Sequence, residues 1–356
     1  MFYTAAWCIK NEEEFRKAIP FELLGESMKR HGSTLPFCIV ILEGIGLLST
    51  RYIDSLTAQG FTVLDYSEEF KDIIKRFPEI DKAYSRYERN CLLRWVAFHQ
   101  LFLARVAQYP QFWHLDGDVI LHTSLDELAR DTTGKTFMLQ GCPVFLTASE
   151  LRWFEQYEAE LQMLNDHRIA YSETAARDKE RCRSNDLSLA NQSLFSNPLR
   201  SDQDLLEYLV SAKKITQTDA AVIYDSRYYF IQNPLSIDVW HAIQSKKEND
   251  FIGNDSDGVL IGDKQVPFMH YQNTFSVYAG VFLLLKDLSL PRSLVRKIMA
   301  YRITDAAFNT TLAYKVLVRI YKRLRAGQGR YAVIQKLMAG KNQPRLTALL
   351  NFLKSR

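Results

Sequence analysis

Cysteine is scarce and unpatterned in this chain. The five residues, Cys8, Cys38, Cys91, Cys142 and Cys182, show no Cys-x-x-Cys or Cys/His spacing. An odd, scattered set excludes a disulfide framework and a thiolate zinc site, and it reads as packing cysteines of a reducing compartment. Long hydrophobic runs are also missing. The longest, near Pro36 to Leu42 and Val277 to Leu285, fall far short of the roughly 20 residues that cross a bilayer. The opening Met1 to Lys10 has no basic region and runs into Glu12, Glu13 and Glu14, so no secretory signal is expected and the chain is expected in the cytoplasm. Internal repeats and low-complexity segments are absent too.

What is present suffices for a large core. The 356 residues are 47% hydrophobic and 12% aromatic, which suits one large globular domain with an appendage. The net charge of +4 conceals an asymmetry: residues 291–356 hold 15 Lys/Arg against the single acid Asp305. Residues 1–290 hold 30 basic and 40 acidic side chains, so an acidic body carries a basic tail. The expected division is a body over 1–290 and a helical tail over 291–356. Within the tail Leu317, Ile320, Tyr321 and Leu324 share one helical face while Lys315, Arg319, Lys322 and Arg323 crowd the other. Such a tail suits a membrane surface, a nucleic acid or a solvated subdomain. The membrane is favoured, because Lys/Arg contribute about 1 kcal/mol each near an anionic leaflet. Nucleic acid is disfavoured by the few interleaved aromatics and the acidic body.

Apolar runs at Phe2 to Ile9, Phe37 to Leu42, Phe61 to Leu64 and Phe112 to Leu115 predict strands, separated by helix-like segments. Glu12 to Lys29, Thr50 to Gln59 and Ala83 to Ala107 predict the crossover helices. Further on, the pattern predicts a helix over Ser124 to Arg130, a strand near Thr136 to Leu139 and a helix over Ala148 to Asn165. Glu173 to Asn191 reads as a loop-rich polar stretch. Ser201 to Ser211 predicts a helix, with Ser201 as cap and Asp204 three residues on. Ala220 to Ile223, Tyr228 to Ile231 and Pro267 to His270 predict late strands. The β/α alternation defines an α/β fold.

The fourth strand runs into Leu115-Asp116-Gly117-Asp118-Val119. Open α/β sheets bind ligands at the carboxyl ends of their strands, and Gly117 admits a turn there. Two neighbouring carboxylates repel each other unless a cation joins them, and hard oxygen ligands suit Mg²⁺ or Mn²⁺. Two other Asp-x-Asp copies, Asp202-Gln203-Asp204 and Asp255-Ser256-Asp257, have simpler readings as a helix cap and a solvated loop. An EF-hand beginning at Asp116 is excluded by Ile120 and Leu121, which occupy the ligand and glycine positions. Gly134-Lys135-Thr136 lies in the wrong context for a phosphate loop, after a helix and before a strand.

The aspartate pair after a fourth α/β strand resembles the DxD motif of nucleotide-sugar glycosyltransferases of the GT-A fold, of the kind that build bacterial glycans and lipopolysaccharide. The resemblance covers roughly residues 1–285. It implies a Rossmann-like mixed sheet flanked by helices, with the basic helical segment appended. It implies Mn²⁺ or Mg²⁺ held by Asp116 and Asp118, with Asp116 also near the ribose, and a late histidine, His270, as third ligand. By the same resemblance Arg94 contacts the nucleotide or donor sugar and Thr4, Ala5 and Ala6 line the base pocket. Asp202 and Gln203 lie near the donor sugar, and Asp204, Asp202 or Asp186 supplies a base. The implied activity transfers a hexose or related sugar from a nucleotide donor, a uridine diphosphate sugar first among them, to a lipid-linked or surface-glycan acceptor. A non-catalytic membrane or polyanion-binding module is the alternative from another class. A sugar nucleotidyltransferase is the alternative within enzymes, although the first strand lacks a glycine-rich phosphate loop.

Overall fold

The computed structural model describes residues 1–19, 21–139, 143–185, 199–217, 228, 259–261 and 264–270. A six-stranded sheet has the order β3-β2-β1-β4-β7-β6. Its strands are β1 Phe2–Trp7, β2 Phe37–Glu43, β3 Phe61–Asp65, β4 Phe112–Leu115, β6 Phe137–Met138 and β7 Phe145–Ala148, while β5 Val119–Leu121 lies outside it. The first four strands are parallel, and β7 runs antiparallel to both β4 and β6. The sheet is therefore mixed, and with its flanking helices it gives the expected α/β class. The tail at 291–356, Asp186, Asp255 to Asp257 and the strand expected at Ala220 to Ile223 lie outside the described residues, as does most of Tyr228 to Ile231.

The chain divides into two compact units. The first comprises Met1–Phe15, Met28–Gly117 and Ser124–Ser226. Period-2 alternation sets its packing. Tyr3, Ala5, Cys38, Val40, Leu42, Phe112, Leu146 and Ala148 turn to one face, where they meet Phe70, Trp95, Phe98, Phe102, Trp153, Phe154 and Tyr157 in a continuous core. The helices there include α4 Ser67–Arg76, α5 Pro78–Ala83, α6 Arg86–Arg105, α8 Arg152–Asp166, α9 Arg168–Asn185 and α10 Asp202–Ser211, while α3 Thr50–Ala58 sits by β3. In α6 every residue from Asn90 to Phe98 is buried, so this helix is interior on all sides. The second unit comprises Arg16–Ser27, Asp118–Thr123 and Arg227–Arg356. In it β10 Phe268–His270 pairs antiparallel with β5, with Leu121 opposite Phe268 and Val119 opposite His270. The short strands β8 Val259–Ile261 and β9 Lys264–Val266 pair with each other.

Several boundaries differ from expectation for identifiable reasons. The first crossover splits into α1 Glu12–Ala18 and α2 Phe21–Arg30, bracketing Pro20, which lacks an N–H for a continuous helix. The helix expected from Ala83 begins at Arg86, because Ser85 caps it. Ser85 Oγ accepts from the Glu88 N–H, and Glu88 returns a bond to the Ser85 N–H at 3.0 Å. Ala148 ends β7 instead of starting a helix. The stretch from Glu173 to Asn185, expected as loop, is helical within α9.

Gly44 closes the carboxyl end of β2 with φ at +77°, and a Cβ there would lie 2.0 Å from the Cys8 carbonyl oxygen. Backbone atoms cannot swing aside as a side chain would. Gly44→Ala should therefore cost at least about 2 kcal/mol, combining left-handed strain with the clash. A urea melt checks this, and an unchanged midpoint would contradict it.

Candidate metal and nucleotide site

The strand pleat that puts Phe112 beneath α6 puts His114 there as well. His114 is fully buried, with Trp95 and Phe98 at ring distances of 5.0 and 5.2 Å. Two residues further, the same side of the chain carries Asp116, whose backbone N–H donates to the Val144 carbonyl at 2.9 Å. Arg94 on α6 reaches Asp116 Oδ1 through NH1 at 3.0 Å. Its Nε and NH2 engage Asp202 Oδ2 at 2.9 and 2.8 Å, and its guanidinium lies 4.8 Å from the Trp95 ring. Trp95 Nε1 donates to the same Asp202 oxygen at 3.0 Å. An interior arginine thus ties α10 to Asp116.

Burial works against charge on Arg94, but Asp202 and then Asp116 outweigh it and hold the guanidinium pKa above its ordinary value. Burial pushes the Asp202 carboxyl up, with Arg94 and the Trp95 bond opposing. His114 places Nδ1 3.1 Å from the Tyr3 carbonyl oxygen and Nε2 3.1 Å from Asp116 Oδ1. Burial lowers its pKa, and the Asp116 bond and charge oppose that without reversing it.

In the second unit the β5–β10 register sets His270 opposite Val119, next in sequence to Asp118. His270 is 2% exposed and its Nε2 lies 3.2 Å from Asp118 Oδ1. Asp116, Asp118 and His270 each offer one ligand atom, and these atoms lie within 4.8 Å of one another. Among the described residues this is the one such group of at least three His, Cys, Asp or Glu side chains. The donor set fits a divalent cation. Two cis ligands on an ion with bonds near 2.1 Å stand about 3 Å apart, close to the Asp118–His270 separation. Two carboxylate oxygens and one imidazole leave other coordination positions for phosphate oxygens or water.

The remaining predicted site residues fall as follows. Thr4, Ala5 and Ala6 lie inside β1 with exposures of 1%, 5% and 0%, so they offer a ligand almost no surface. Asp204 caps α10: its Oδ2 accepts from the N–H groups of Arg200 and Ser201 at 3.0 and 3.2 Å. The Gln203 N–H donates to Asp202 Oδ1 at 3.0 Å. The reading of the sequence missed His114, although strand alternation marks position 114 as sharing a side with Asp116. It also missed the anchor of α6 to β2. There Glu43 accepts from Arg86 Nε and Arg89 NH2, both at 2.9 Å, and from Asn90 Nδ2 at 2.6 Å.

Burial alone would raise the Glu43 carboxyl, but the bonds from Asn90 and Arg86 and the charge of Arg89 bring it below its ordinary 4.5. A carboxylate whose folded pKa is depressed adds stability above its unfolded pKa, and that stability is lost as the pH falls through the folded one. Glu43→Gln should cost about 1.5–3 kcal/mol at pH 7, the worth of hydrogen bonds to a charged group. The gap from wild type should narrow below pH 4.5. Paired melts at pH 7 and pH 4 check both statements, and a gap that widened in acid would contradict the second.

The fold and the cluster define an α/β protein in which two carboxylates and an imidazole near the end of a central strand could hold a metal ion. No family model matches the chain, and no curated protein does. Among solved structures the chain is similar to mouse xyloside xylosyltransferase 1 in its apo form, at 15% identity and a TM-score of 0.28. The match covers 40% of this chain and 49% of that one, so the chain spans about half the length of that protein. At this TM-score the overlay adds no weight to what the sheet and the cluster support.

Proposed function

We propose that this protein is a metal-dependent GT-A glycosyltransferase that moves a sugar from a nucleoside diphosphate donor to a glycan or lipid-linked acceptor. The observation that carries the reading is the convergence of Asp116, Asp118 and His270 within 4.8 Å at the carboxyl end of β4. When bound there, the cation would neutralise the charge that develops on the departing diphosphate. Two carboxylates suit Mg²⁺ or Mn²⁺, and the imidazole beside them tips the choice toward the transition ion, so Mn²⁺ is the proposed metal. The resemblance of the aspartate motif makes a uridine diphosphate sugar the proposed donor. Asp118 and His270 hold the ion. Asp116, restrained by Arg94, His114 and Val144, turns its carboxylate to the ion and the ribose.

Asp202 serves in this account by fixing Arg94. Asp204 is committed to capping α10, and neither carboxylate is offered as the base. Gln203, at the start of that helix, stays the donor-sugar candidate. The basic tail at 291–356 is proposed to hold the enzyme on an anionic membrane surface, where a lipid-linked acceptor would be found. Among the described residues no helix is long and apolar enough to cross a membrane. Uridine diphosphate release from a panel of nucleotide sugars tests the proposal. Release should require Mn²⁺ and stop on chelation, whereas a panel silent with every nucleotide and metal would count against it.

A further inference from the structure

The cation-site reading leaves open how Asp116 comes to present itself correctly before any metal arrives. Asp116 sits beside a cationic guanidinium that by itself would draw its carboxylate toward α6. The structure sets a second group against it. His114 Nε2 meets Asp116 Oδ1 at 3.1 Å, on the same oxygen that Arg94 NH1 meets at 3.0 Å. Two contacts on one oxygen fix the rotation of the carboxylate about its Cβ–Cγ bond, and the Val144 carbonyl fixes the backbone N–H of the same residue.

His114 is itself immobilised. Its other ring nitrogen faces the Tyr3 carbonyl at 3.1 Å on the neighbouring strand β1. The ring is 0% exposed and is walled by Trp95 and Phe98. Both neighbours are acceptors and a neutral imidazole has one N–H. The proton therefore belongs on Nε2, toward the charged Asp116 carboxylate, while strand β4 and the aromatic walls hold the ring. A partner fixed in this way transmits the rigidity of the sheet to the ligand.

We infer that His114 is the positioning residue of Asp116: its ring, buried and fixed in the sheet, donates Nε2–H to Oδ1, so the carboxylate is oriented for the cation in the unloaded protein. The inference rests on the cation-site reading and goes beyond it, because it assigns a role to a strand residue that is fully buried and outside the ligand cluster.

Two substitutions separate the ring's two contacts. In His114→Asn the amide occupies the place of Nδ1 and can meet the Tyr3 carbonyl, but it cannot reach Asp116. In His114→Gln the amide nitrogen occupies the place of Nε2 and can keep Asp116. The readout is Mn²⁺ affinity of the full-length protein without nucleotide, by electron paramagnetic resonance, beside a thermal melt of each variant. His114→Asn should weaken Mn²⁺ binding by about 10–100-fold, the usual effect of losing an outer-shell partner. His114→Gln should stay within about threefold of wild type.

Wild-type affinity in His114→Asn, or an equal loss in both variants, would overturn the inference while leaving the metal site standing. A wild-type protein that binds no Mn²⁺ would overturn the cation-site reading itself, and this inference with it. If neither variant folds, the wild-type His114 ring nitrogens decide by their magnetic resonance. They should shift when Mg²⁺ is added, and unmoved resonances would overturn the inference.

Discussion

Asp118→Asn should lower metal-dependent turnover by about 10²–10³-fold, the scale of losing a group that stabilises transition-state charge, and leave the fold intact. The asparagine keeps the shape of a side chain that is 18% exposed. Without a cation, Asp116 and Asp118 repel each other across less than 4.8 Å, so the neutral residue should leave the melting temperature of the metal-free protein unchanged or raised. The contrast appears when metal is added. A ligand at 100 times its dissociation constant stabilises a protein by about 2.7 kcal/mol. Wild type should gain such a shift with Mn²⁺ and Asp118→Asn should not. Equal shifts in both proteins would place the cation elsewhere.

Arg94→Ala should be the most destabilising substitution proposed here, at about 3–5 kcal/mol, because it removes one partner of a buried ionic network and leaves the others charged. Asp202 is 3% exposed and, among the described residues, would keep the Trp95 indole and the Gln203 N–H. Arg94→Lys should recover little, since one ammonium cannot span the fork that now reaches Asp202 and Asp116 together. Substituting both partners, Arg94→Leu with Asp202→Asn, should recover most of the loss, because no unpaired charge then stays inside. The penalty also has a pH signature. Burial raises the Asp202 carboxyl, and removing Arg94 raises it further. A group whose folded pKa exceeds its unfolded value favours the folded state once protonated. The deficit of Arg94→Ala should therefore shrink as the pH falls toward about 4, the ordinary carboxylate value. Urea melts of the four proteins at pH 7 and pH 4.5 check the set, and a double variant no better than Arg94→Ala would contradict the network account.

How much of this was legible in the sequence depended on whether the determining interaction was local. β1 to β4 could be read because each is a short apolar run bounded by breakers, and the aspartate pair stood out because it follows one of them. The caps were legible as well: Ser85-x-x-Glu88 and Ser201-x-x-Asp204 are both written as N-terminal signals, though the first was passed over. β7 was missed because Phe145-Leu-Thr-Ala is brief and merges with the apolar pattern of α8. The polar composition from Glu173 onward hides α9, which Tyr171 and Ala175, four residues apart and both buried, seat against the core. At the site, Asp116, Asp118 and His270 were proposed together from the resemblance, and the β5–β10 register supplies the physical link between the last two. The pairing of Arg94 with Asp202 spans 108 residues, and no local pattern announces it.

The central claim is that this α/β protein binds a nucleoside diphosphate through a cation held by Asp116, Asp118 and His270. Calorimetric titration of the wild-type protein with uridine diphosphate, with and without Mn²⁺, tests it most directly. Binding that appears only with Mn²⁺ and disappears in Asp118→Asn is the predicted result. Binding of equal strength with and without metal, or no binding of uridine, guanosine and cytidine diphosphates under either condition, would contradict it.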